Sequence, residues 1–327
     1  MSQTLAELGE DALIEFIAET FGSNSSIQVG IGDDCAVIQS PSHLHVVTAD
    51  AMIETVHFSR ETMSATQIGR KLVAVNVSDI AAMGARPAYG MLTMCLPENL
   101  TIQWIKELIS GVASEADHYG FSIAGGDLCA SPAPVSLNLT LSGTLVGSKP
   151  ILRSTARPGD GLYVTGTLGT SAYGFRLLSS GQDDNDASQS IAKHRVPETQ
   201  LENARVLAQW EGCHTMMDIS DGLAIDANRL AKASSVHLTV NIDALPLHGE
   251  LERLPSEEAQ ELAIYGGEDY ELLFSASGPP PVEATRIGSV EAGAGSVSWI
   301  LNGRPYELSD KHSYRHFKMH SATQETK

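Results

Sequence analysis

The chain has 327 residues, 42% of them hydrophobic, and a formal net charge of −19 at pH 7. This charge argues against a nucleic-acid partner, because nucleic-acid binding rewards basic surfaces. The sequence has no apolar run near the roughly 20 residues that a membrane helix needs. The acidic residues Glu7, Glu10 and Asp11 argue against a signal peptide.

The length and the cysteines give two further expectations. A chain of this length is more typical of two domains than of one very large domain. The four cysteines, which show no Cys-x-x-Cys spacing, are Cys35, Cys95, Cys129 and Cys213. We therefore expect reduced thiols and a cytoplasmic protein.

In the first half of the chain, apolar residues at helical or alternating spacing predict helices and strands in turn. Thr101 is placed to cap a helix that ends near Gly120. The predicted helices cover residues 5–20, 63–84 and 101–120. The predicted strands cover residues 28–38, 45–48, 89–96, 121–124 and 135–146, with a turn over residues 30–34 and the 121–124 strand ending in Gly125-Gly126-Asp127.

The second half repeats this rhythm after a segment rich in Gly, Pro and Ser over residues 147–161, which is the predicted domain boundary. The predicted strands there cover residues 162–165, 215–219, 236–242, 270–275 and 297–301. Helices are predicted to end near residue 178, to follow Pro197, and to cover residues 223–233. The pattern predicts an α/β or α+β class with mixed sheets, with domains at 1–148 and 149–317 and a flexible tail at 318–327.

The stretch of residues 74–87 combines an apolar helical pattern with Asn76, Ser78 and Asp79 in its middle. An ionised carboxylate on such a surface is costly unless a partner neutralises it. No Lys or Arg lies one helical turn before or after Asp79. The partner must then come from elsewhere in the fold or be a metal ion, unless Asp79 caps a neighbouring backbone.

Seven aspartates lie in predicted turns or at the ends of predicted elements, beside Gly, Ser or another Asp. They are Asp33, Asp34, Asp50, Asp79, Asp127, Asp218 and Asp221. Carboxylates just past strand ends are well placed to bind ligands. Local alternatives remain, since Asp221 could cap the next helix, Asp127 could be a turn residue, and one of Asp33 and Asp34 could point to solvent.

If these aspartates converge, they require cations. Two carboxylates about 5 Å apart repel by roughly 3 kcal/mol at an effective dielectric of about 20. Ligation by carboxylate oxygens suits Mg²⁺ rather than zinc, and Mg²⁺ is usually completed by water and phosphate oxygens. A convergent set would therefore indicate phosphoryl chemistry.

Two other phosphate-binding features are ambiguous. The Gly-Thr-Leu-Gly segment at 166–169 precedes a helix and could place a phosphate at its N-terminus, but without the full Gly-x-Gly-x-x-Gly spacing a simple turn is favoured. Arg153 could pair with a nucleotide phosphate or could be a surface residue at the domain junction.

Several stretches together resemble thiamine-monophosphate kinase, and they follow that family's order from about residue 8 to 317. The most specific are Val-Asn-Val-Ser-Asp-Ile-Ala-Ala-Met-Gly-Ala at 75–85, Met-Asp-Ile-Ser-Asp-Gly-Leu at 217–223 and Gly-Gly-Glu-Asp-Tyr-Glu-Leu at 266–272. Residues 30–36, 48–52, 56–58, 125–127 and 163–169 add weaker matches.

The resemblance implies the two-domain fold of the aminoimidazole ribonucleotide synthetase superfamily, with N-terminal sheets paired into a barrel in a homodimer. It implies that ATP gives its γ-phosphate to thiamine monophosphate, with several Mg²⁺ ions bridging aspartates and phosphates. Direct in-line transfer is our hypothesis, because metal-assisted phosphoryl transfer asks little covalent chemistry of the protein.

The resemblance also assigns roles to individual residues. The implied Mg²⁺ ligands are Asp33, Asp50, Asp79, Asp127 and Asp218, with help from Thr48 and Asp221. The implied ATP contacts are Gly126, Asp127, Arg153 and Ser220. The implied thiamine contacts are His57, Glu268 and Tyr314.

One departure and three rival functions accompany this resemblance. Ala49 stands where the family usually has Thr, so one metal ligand oxygen is missing there. Selenophosphate synthetase is disfavoured because the N-terminus reads as a plain amphipathic helix, and aminoimidazole ribonucleotide synthetase because residues 266–271 fit the kinase better. A nucleotide-binding module without turnover is the rival from another class, and only Ala49 favours it.

Overall fold

We describe a computed structural model of the chain, in which residues 27–39, 44–132, 134–181 and 188–309, together with 12, 14 and 15, are described. Most of the helix predicted over residues 5–20 lies outside these residues, as do Tyr314 and the predicted tail at 318–327. No helix in the described part of the chain is both long and apolar enough to span a membrane.

The N-terminal half forms a six-stranded sheet with two long helices. The strands are β1 (Ile27–Val29), β2 (Ala36–Gln39), β3 (Leu44–Ile53), β4 (Ala85–Leu96), β5 (Ser122–Ala130) and β6 (Ser136–Leu145), and the helices are α1 (Ala65–Ala82) and α2 (Ile102–Tyr119). The strand order is β1-β2-β3-β6-β4-β5, and β5 is parallel to β4 while the other pairs are antiparallel. The sheet is therefore mixed, as predicted, and in the described part of the chain its strand order is open rather than closed into a barrel.

Helix α1 is the central element of the fold. Ser64 and Gln67 form a capping box at its start. The helix is buried on nearly all sides. It can approach α2 closely because Gly69 has no side chain; a Cβ at this position would lie 2.2 Å from the Leu108 carbonyl oxygen. Gly84 follows the helix with a φ of +67°, a conformation that glycine adopts without strain.

The C-terminal half forms a seven-stranded sheet in the order β13-β12-β9-β11-β7-β10-β8. Its strands are β7 (Gly161–Val164), β8 (Cys213–Asp218), β9 (Val236–Asn241), β10 (Leu272–Ala276), β11 (Thr285–Ala292), β12 (Ser296–Leu301) and β13 (Arg304–Tyr306). Its helices are α3 (Thr170–Ser179), α4 (Gln189–Arg195), α5 (Leu201–Ala208), α6 (Leu223–Ser234) and α7 (Ser256–Tyr265).

Two predicted strands are longer in the structure, and strands β11 and β13 and helices α4 and α7 were not predicted. Strand β3 continues to Ile53, so that Asp50 lies inside the strand rather than at its end. Strand β5 continues through Asp127 to Ala130, because Gly126 allows a close approach to β4 that a side chain would block. Strand β11 was missed, because its apolar residues alternate only weakly.

The two halves meet along α1. The last turn of α1, at Ala81 and Ala82, shares one hydrophobic core with Leu272 and Phe274 of β10. The N-terminal sheet ends at Leu145 and the C-terminal sheet begins at Gly161. The domain boundary at residue 148 remains a prediction.

Candidate active site

Three carboxylates from distant parts of the sequence meet at the junction of the two halves. Asp34, Asp79 and Asp218 each offer an oxygen, and these oxygens lie within 4.8 Å of one another. Asp34 lies in the turn between β1 and β2, Asp79 near the end of α1, and Asp218 at the end of β8. We call these three residues the acid cluster.

Hydroxyl groups, rather than cations, contact two members of the acid cluster. Thr48 Oγ1 donates to Asp79 Oδ2 at 2.6 Å, and Ser78 Oγ donates to Asp218 Oδ2 at 2.7 Å. The second bond joins α1 to β8 across the two halves. The partner that the sequence required for Asp79 thus includes the Thr48 hydroxyl, which is neutral and leaves the negative charge in place.

The electrostatics of the acid cluster favour a bound cation. Burial, followed by the charges of Asp50, Asp218 and Asp34, raises the pKa of Asp79 well above its usual value. Burial, followed by the charge of Asp34, likewise raises the pKa of Asp218. Carboxylates that are this costly to ionise, and that present only oxygen donors, fit Mg²⁺ or a similar hard cation.

Asp33 and Asp34 both point inward, so the alternative in which one of them points to solvent is wrong. Their side chains are 7% and 0% exposed. Arg153 donates from Nε and Nη2 to the two oxygens of Asp34 at 2.9 and 2.7 Å, and its backbone N–H donates to Asp33. Arg153 is therefore an inward-facing residue of the site and not a surface arginine. Burial, followed by the charge of Asp34, raises the pKa of Asp33 to about 7.

Asp50 lies next to the acid cluster on β3. Its backbone N–H donates to Asn76 Oδ1 at 3.1 Å, and Asn76 donates to the Leu72 carbonyl within α1. The polar residues that interrupt the apolar face of α1 thus fix β3 against the helix. The charge of Asp50 is the first of the neighbouring charges that raise the pKa of Asp79.

The structure does not bring Gly126 and Asp127 to the acid cluster. Both are exposed on β5, which is the edge strand of the sheet. In the strand register, Asp50 and Gly126 lie in one row that crosses four strands. Three spacings of about 4.8 Å separate these strands, so the two backbones are about 14 Å apart. A role for these two residues at the same site in one chain therefore has no support in their positions.

Asp221 and Ser220 follow β8 at the edge of the site. Asp221 forms an ion pair with Arg229, which also contacts the buried Asp226 at 3.1 Å. Asp221 is not the cap of α6, because that position is Gly222. The backbone oxygen of Ser220 accepts the Glu268 N–H at 2.8 Å and so joins the 266–271 segment to the residues that follow Asp218.

A second polar group, which we call the Glu268 pocket, consists of His57, Lys71, His194 and Glu268. Lys71 Nζ lies 2.8 Å from Glu268 Oε1, and His194 Nδ1 lies 3.4 Å from Glu268 Oε2. His57 Nδ1 accepts the Ile53 backbone N–H at 3.1 Å. The structure thus brings together His57 and Glu268, two of the residues that the resemblance assigned to thiamine.

The N-terminus of α3 already has an anionic partner from within the chain. Asp269, which is fully buried, accepts the N–H groups of Gly169 and Ser171 at 2.6 and 3.0 Å. Residues 166–169 therefore form a turn, as favoured, and the possible phosphate site at this helix is occupied by a side chain.

Sequence reasoning missed three residues of these groups. Asp34 was considered but not selected, although Asp33 beside it was. Lys71 and His194 were not singled out. Lys71 could have been found by the argument used for Asp79, since it is a charged residue inside an otherwise apolar helix. His194 had no comparable signal, because its contacts come from residues far away in sequence.

Comparison with known proteins is consistent with this architecture. Residues 32–148 match the family model described as AIR synthase related protein, N-terminal domain. Residues 157–300 match the model described as AIR synthase related protein, C-terminal domain. The two matches together cover most of the chain and show the superfamily fold.

Individual relatives identify the family within this superfamily. The chain is 32% identical to the thiamine-monophosphate kinase of Bacillus subtilis over 95% of this chain and 100% of that protein. It is 32% identical to the thiamine-monophosphate kinase of Escherichia coli K12 over 94% and 98% of the two chains. A solved structure, AaThiL complexed with AMPPCP and TMP, matches with a TM-score of 0.86 and 31% identity over 97% of this chain and 100% of that chain. The chain belongs to the thiamine-monophosphate kinase family.

Proposed function

We propose that this protein transfers the γ-phosphate of ATP to the phosphate of thiamine monophosphate, which produces thiamine diphosphate and ADP. The observation that carries this proposal is the acid cluster at the junction of the two halves. The relatives' names, and the ATP analogue and TMP bound in the similar structure, support the choice of substrates.

We propose Asp34, Asp79 and Asp218 as the residues that would hold Mg²⁺, together with Asp33, Asp50 and Thr48 nearby. Asp221 and Asp127 are more distant candidates, because Asp221 already pairs with Arg229 and Asp127 lies on the edge strand. Bound Mg²⁺ would neutralise the charges of two phosphate-bearing reactants, which otherwise repel each other.

The chain's own residues are suited to positioning rather than to covalent catalysis. Cys35, whose Sγ lies 3.4 Å from the Asp79 carbonyl oxygen, is the thiol beside the acid cluster. Burial, followed by the charge of Asp79, raises its pKa, so the thiol stays protonated and is a poor nucleophile. Direct in-line transfer between the two substrates is therefore the mechanism we propose.

We further propose that the protein is a cytoplasmic homodimer. Tyr89 and Met91 of β4 and Leu128 of β5 are 50%, 43% and 66% exposed, which leaves apolar side chains uncovered on the N-terminal sheet. A second copy paired on this sheet would cover them. The four cysteines are free thiols, which is consistent with a reducing compartment.

The deciding experiment measures ADP release from ATP and Mg²⁺ with thiamine monophosphate as acceptor, and identifies thiamine diphosphate by mass spectrometry. Unphosphorylated thiamine is the control acceptor and should give no product. ADP release without thiamine diphosphate, or tight ATP binding without turnover, would overturn the proposed activity. Retention of configuration at a chiral thiophosphate would overturn direct transfer, because a single in-line step inverts it.

A further inference from the structure

Lys71 is the largest fully buried side chain of the described residues, at 1% exposure. It lies in the middle of α1, between the N-terminal sheet and the C-terminal half. A buried ammonium is tolerated only where partners compensate for the loss of water. The identity of those partners therefore indicates why the chain keeps a lysine here.

The two partners of Lys71 come from different halves of the protein. Its Nζ pairs with Glu268 Oε1 at 2.8 Å, and it also donates to the backbone carbonyl of His57 at 3.5 Å. His57 follows β3 in the N-terminal half, whereas Glu268 precedes β10 in the C-terminal half. One ammonium group thus joins the two segments that form the Glu268 pocket.

Glu268 is partly exposed to solvent, whereas its partner Lys71 is not. Its side chain is 30% exposed while that of Lys71 is 1% exposed, so the lysine lies on the inner side of the carboxylate. The backbone of Glu268 has a φ of +64°, an uncommon conformation for a residue with a side chain. A strained backbone and a fixed ion pair together orient the carboxylate.

The Glu268 pocket adjoins the acid cluster. The buried Tyr270 hydroxyl lies near charges from both groups. Burial raises its pKa, and so do the charges of Glu268, Asp50, Asp218 and Asp79. Along α1, Lys71 and Ser78 are seven residues apart, which is two turns and about 10 Å on one helix face. An extended ligand could therefore contact Glu268 with one end and the acid cluster with the other.

We propose that Lys71 is a positioning residue that fixes Glu268 to bind the nitrogen-containing rings of thiamine monophosphate while the phosphate lies at the acid cluster. This inference rests on the proposed function. Lys71 itself lies behind the carboxylate, so it acts through Glu268 and not by contact with the substrate.

The charges around Glu268 make this role testable through pH. The groups that face it are Lys71 from α1, His194 from α4, His57 from the segment after β3, and the Tyr270 hydroxyl from its own segment. Burial raises the pKa of Glu268, but Lys71, His194 and His57 outweigh burial and lower it. Without Lys71 the largest opposing charge is lost, so the pKa rises and the carboxyl group takes up a proton more readily.

The test is the variant Lys71→Met in the full-length protein, assayed with ATP, Mg²⁺ and thiamine monophosphate from pH 6 to pH 9. We expect the KM for thiamine monophosphate to rise by about 10- to 100-fold at pH 7, since bonds to charged groups are worth that much. The KM for ATP should stay within about 2-fold of the wild type. The KM for thiamine monophosphate should fall again as the pH rises, because Glu268 regains its charge.

Arg70→Met is the matched control. Arg70 is the neighbouring cation in α1, but it is 44% exposed and pairs with Glu115 of α2, away from the Glu268 pocket. This variant should leave the KM for thiamine monophosphate within about 2-fold at every pH. An unchanged KM in Lys71→Met, or an equal rise in both variants, would overturn the proposal.

A double variant keeps the test decisive even where Lys71→Met folds poorly. Lys71→Met combined with Glu268→Gln removes both charges and leaves no unpaired buried ion. If Lys71 acts through Glu268, the double variant should show the same KM for thiamine monophosphate as Glu268→Gln alone. A further 10-fold rise in the double variant would overturn the proposal. A wild type without turnover of thiamine monophosphate would instead refute the proposed function itself.

Discussion

The protein contains two kinds of buried aspartate, and they differ in how their charge is compensated. In the acid cluster, three carboxylates meet, and the contacts of Asp79 and Asp218 include hydroxyl groups. In the C-terminal half, Asp160 is 3% exposed but accepts hydrogen bonds from the Arg157 backbone and Ser275, and it contacts His214 Nδ1 at 2.9 Å. Both are buried, but the acid cluster brings three carboxylates together, and the arginine that contacts it, Arg153, pairs with Asp34 rather than with Asp79 or Asp218.

Asp226 and Asp269 belong with Asp160 in this comparison. Asp226 pairs with Arg229, and Asp269 accepts two backbone N–H groups at the start of α3. Burial of a carboxylate is therefore not in itself a sign of a ligand site. The sign is a group of carboxylates whose charge exceeds that of the neighbouring donors, because such a group needs a cation from outside the chain.

The largest expected effect is that of Asp79→Asn. Turnover should fall by about 1000-fold or more, because one ligand of the proposed cation site is lost. The metal-free protein should become more stable, since two carboxylates at this separation repel by about 3 kcal/mol at an effective dielectric of about 20. Steady-state ADP release and thermal unfolding measure the two effects. Near-normal turnover, or a lower Tm of the metal-free variant, would contradict the comparison.

The next largest effect is a dependence of the folding stability on pH, which bound Mg²⁺ should reduce. The pKa values of Asp33, Asp79 and Asp218 are raised in the folded state, that of Asp33 to about 7. The folded protein then binds more protons than the unfolded chain above about pH 4, so its stability falls as the pH rises.

Each unit of raised pKa corresponds to about 1.4 kcal/mol. Urea unfolding from pH 5 to pH 8 in EDTA should show this loss of stability, and saturating Mg²⁺ should reduce it. The remaining pH dependence should come from groups such as Asp226 and Asp269, whose pKa values burial raises to about 7 and about 6. A wild-type pH dependence that is the same with and without Mg²⁺ would show that the raised pKa values do not reflect a cation site.

Asp160→Asn should have the opposite profile to Asp79→Asn. It disrupts a compensated group, so we expect a loss of about 3 kcal/mol in the free energy of unfolding. Turnover per folded molecule should stay within about 2-fold of the wild type. Urea unfolding and ADP release on the same preparation separate the two quantities. A large loss of turnover with intact stability would assign Asp160 to the active site.

The smallest effect is expected for Asp221→Asn. Because Arg229 already compensates this carboxylate, its loss should reduce turnover by less than about 10-fold and stability by about 1 kcal/mol. Titration of activity with Mg²⁺ should show a similar half-saturating concentration in the variant and the wild type. A requirement for much more Mg²⁺ would place Asp221 among the ligands after all.

Local patterns predicted much of the fold. Helices α1 and α2 depend on apolar spacing between residues that are close in sequence, and Thr101 caps α2 as predicted, so local patterns were sufficient there. Strand β11 was missed because its position between β9 and β7 is decided by pairing with distant strands. Weak alternation gives no sign of such a central position.

The same distinction between local patterns and long-range contacts applies to the site. Asp79 could be predicted because a carboxylate inside an apolar helix is anomalous in any fold. Asp34 could not be separated from Asp33, since that choice depends on Arg153, which lies 119 residues away from Asp34. The exposed position of Asp127 depends likewise on the strand order of the sheet.

The sequence by itself determined several of the helices, among them α1, α2 and α6, most strands, the excess of acidic residues, and the motifs of the thiamine-monophosphate kinase family. These follow from short-range hydrogen bonding, apolar periodicity and residue identity. Only the tertiary structure decided which carboxylates are compensated, that Asp269 occupies the N-terminus of α3, and that Lys71 pairs with Glu268. The contacts of Asp269 and Lys71 join residues about 100 to 200 positions apart, and the energy of a charge depends on the groups that the fold places beside it.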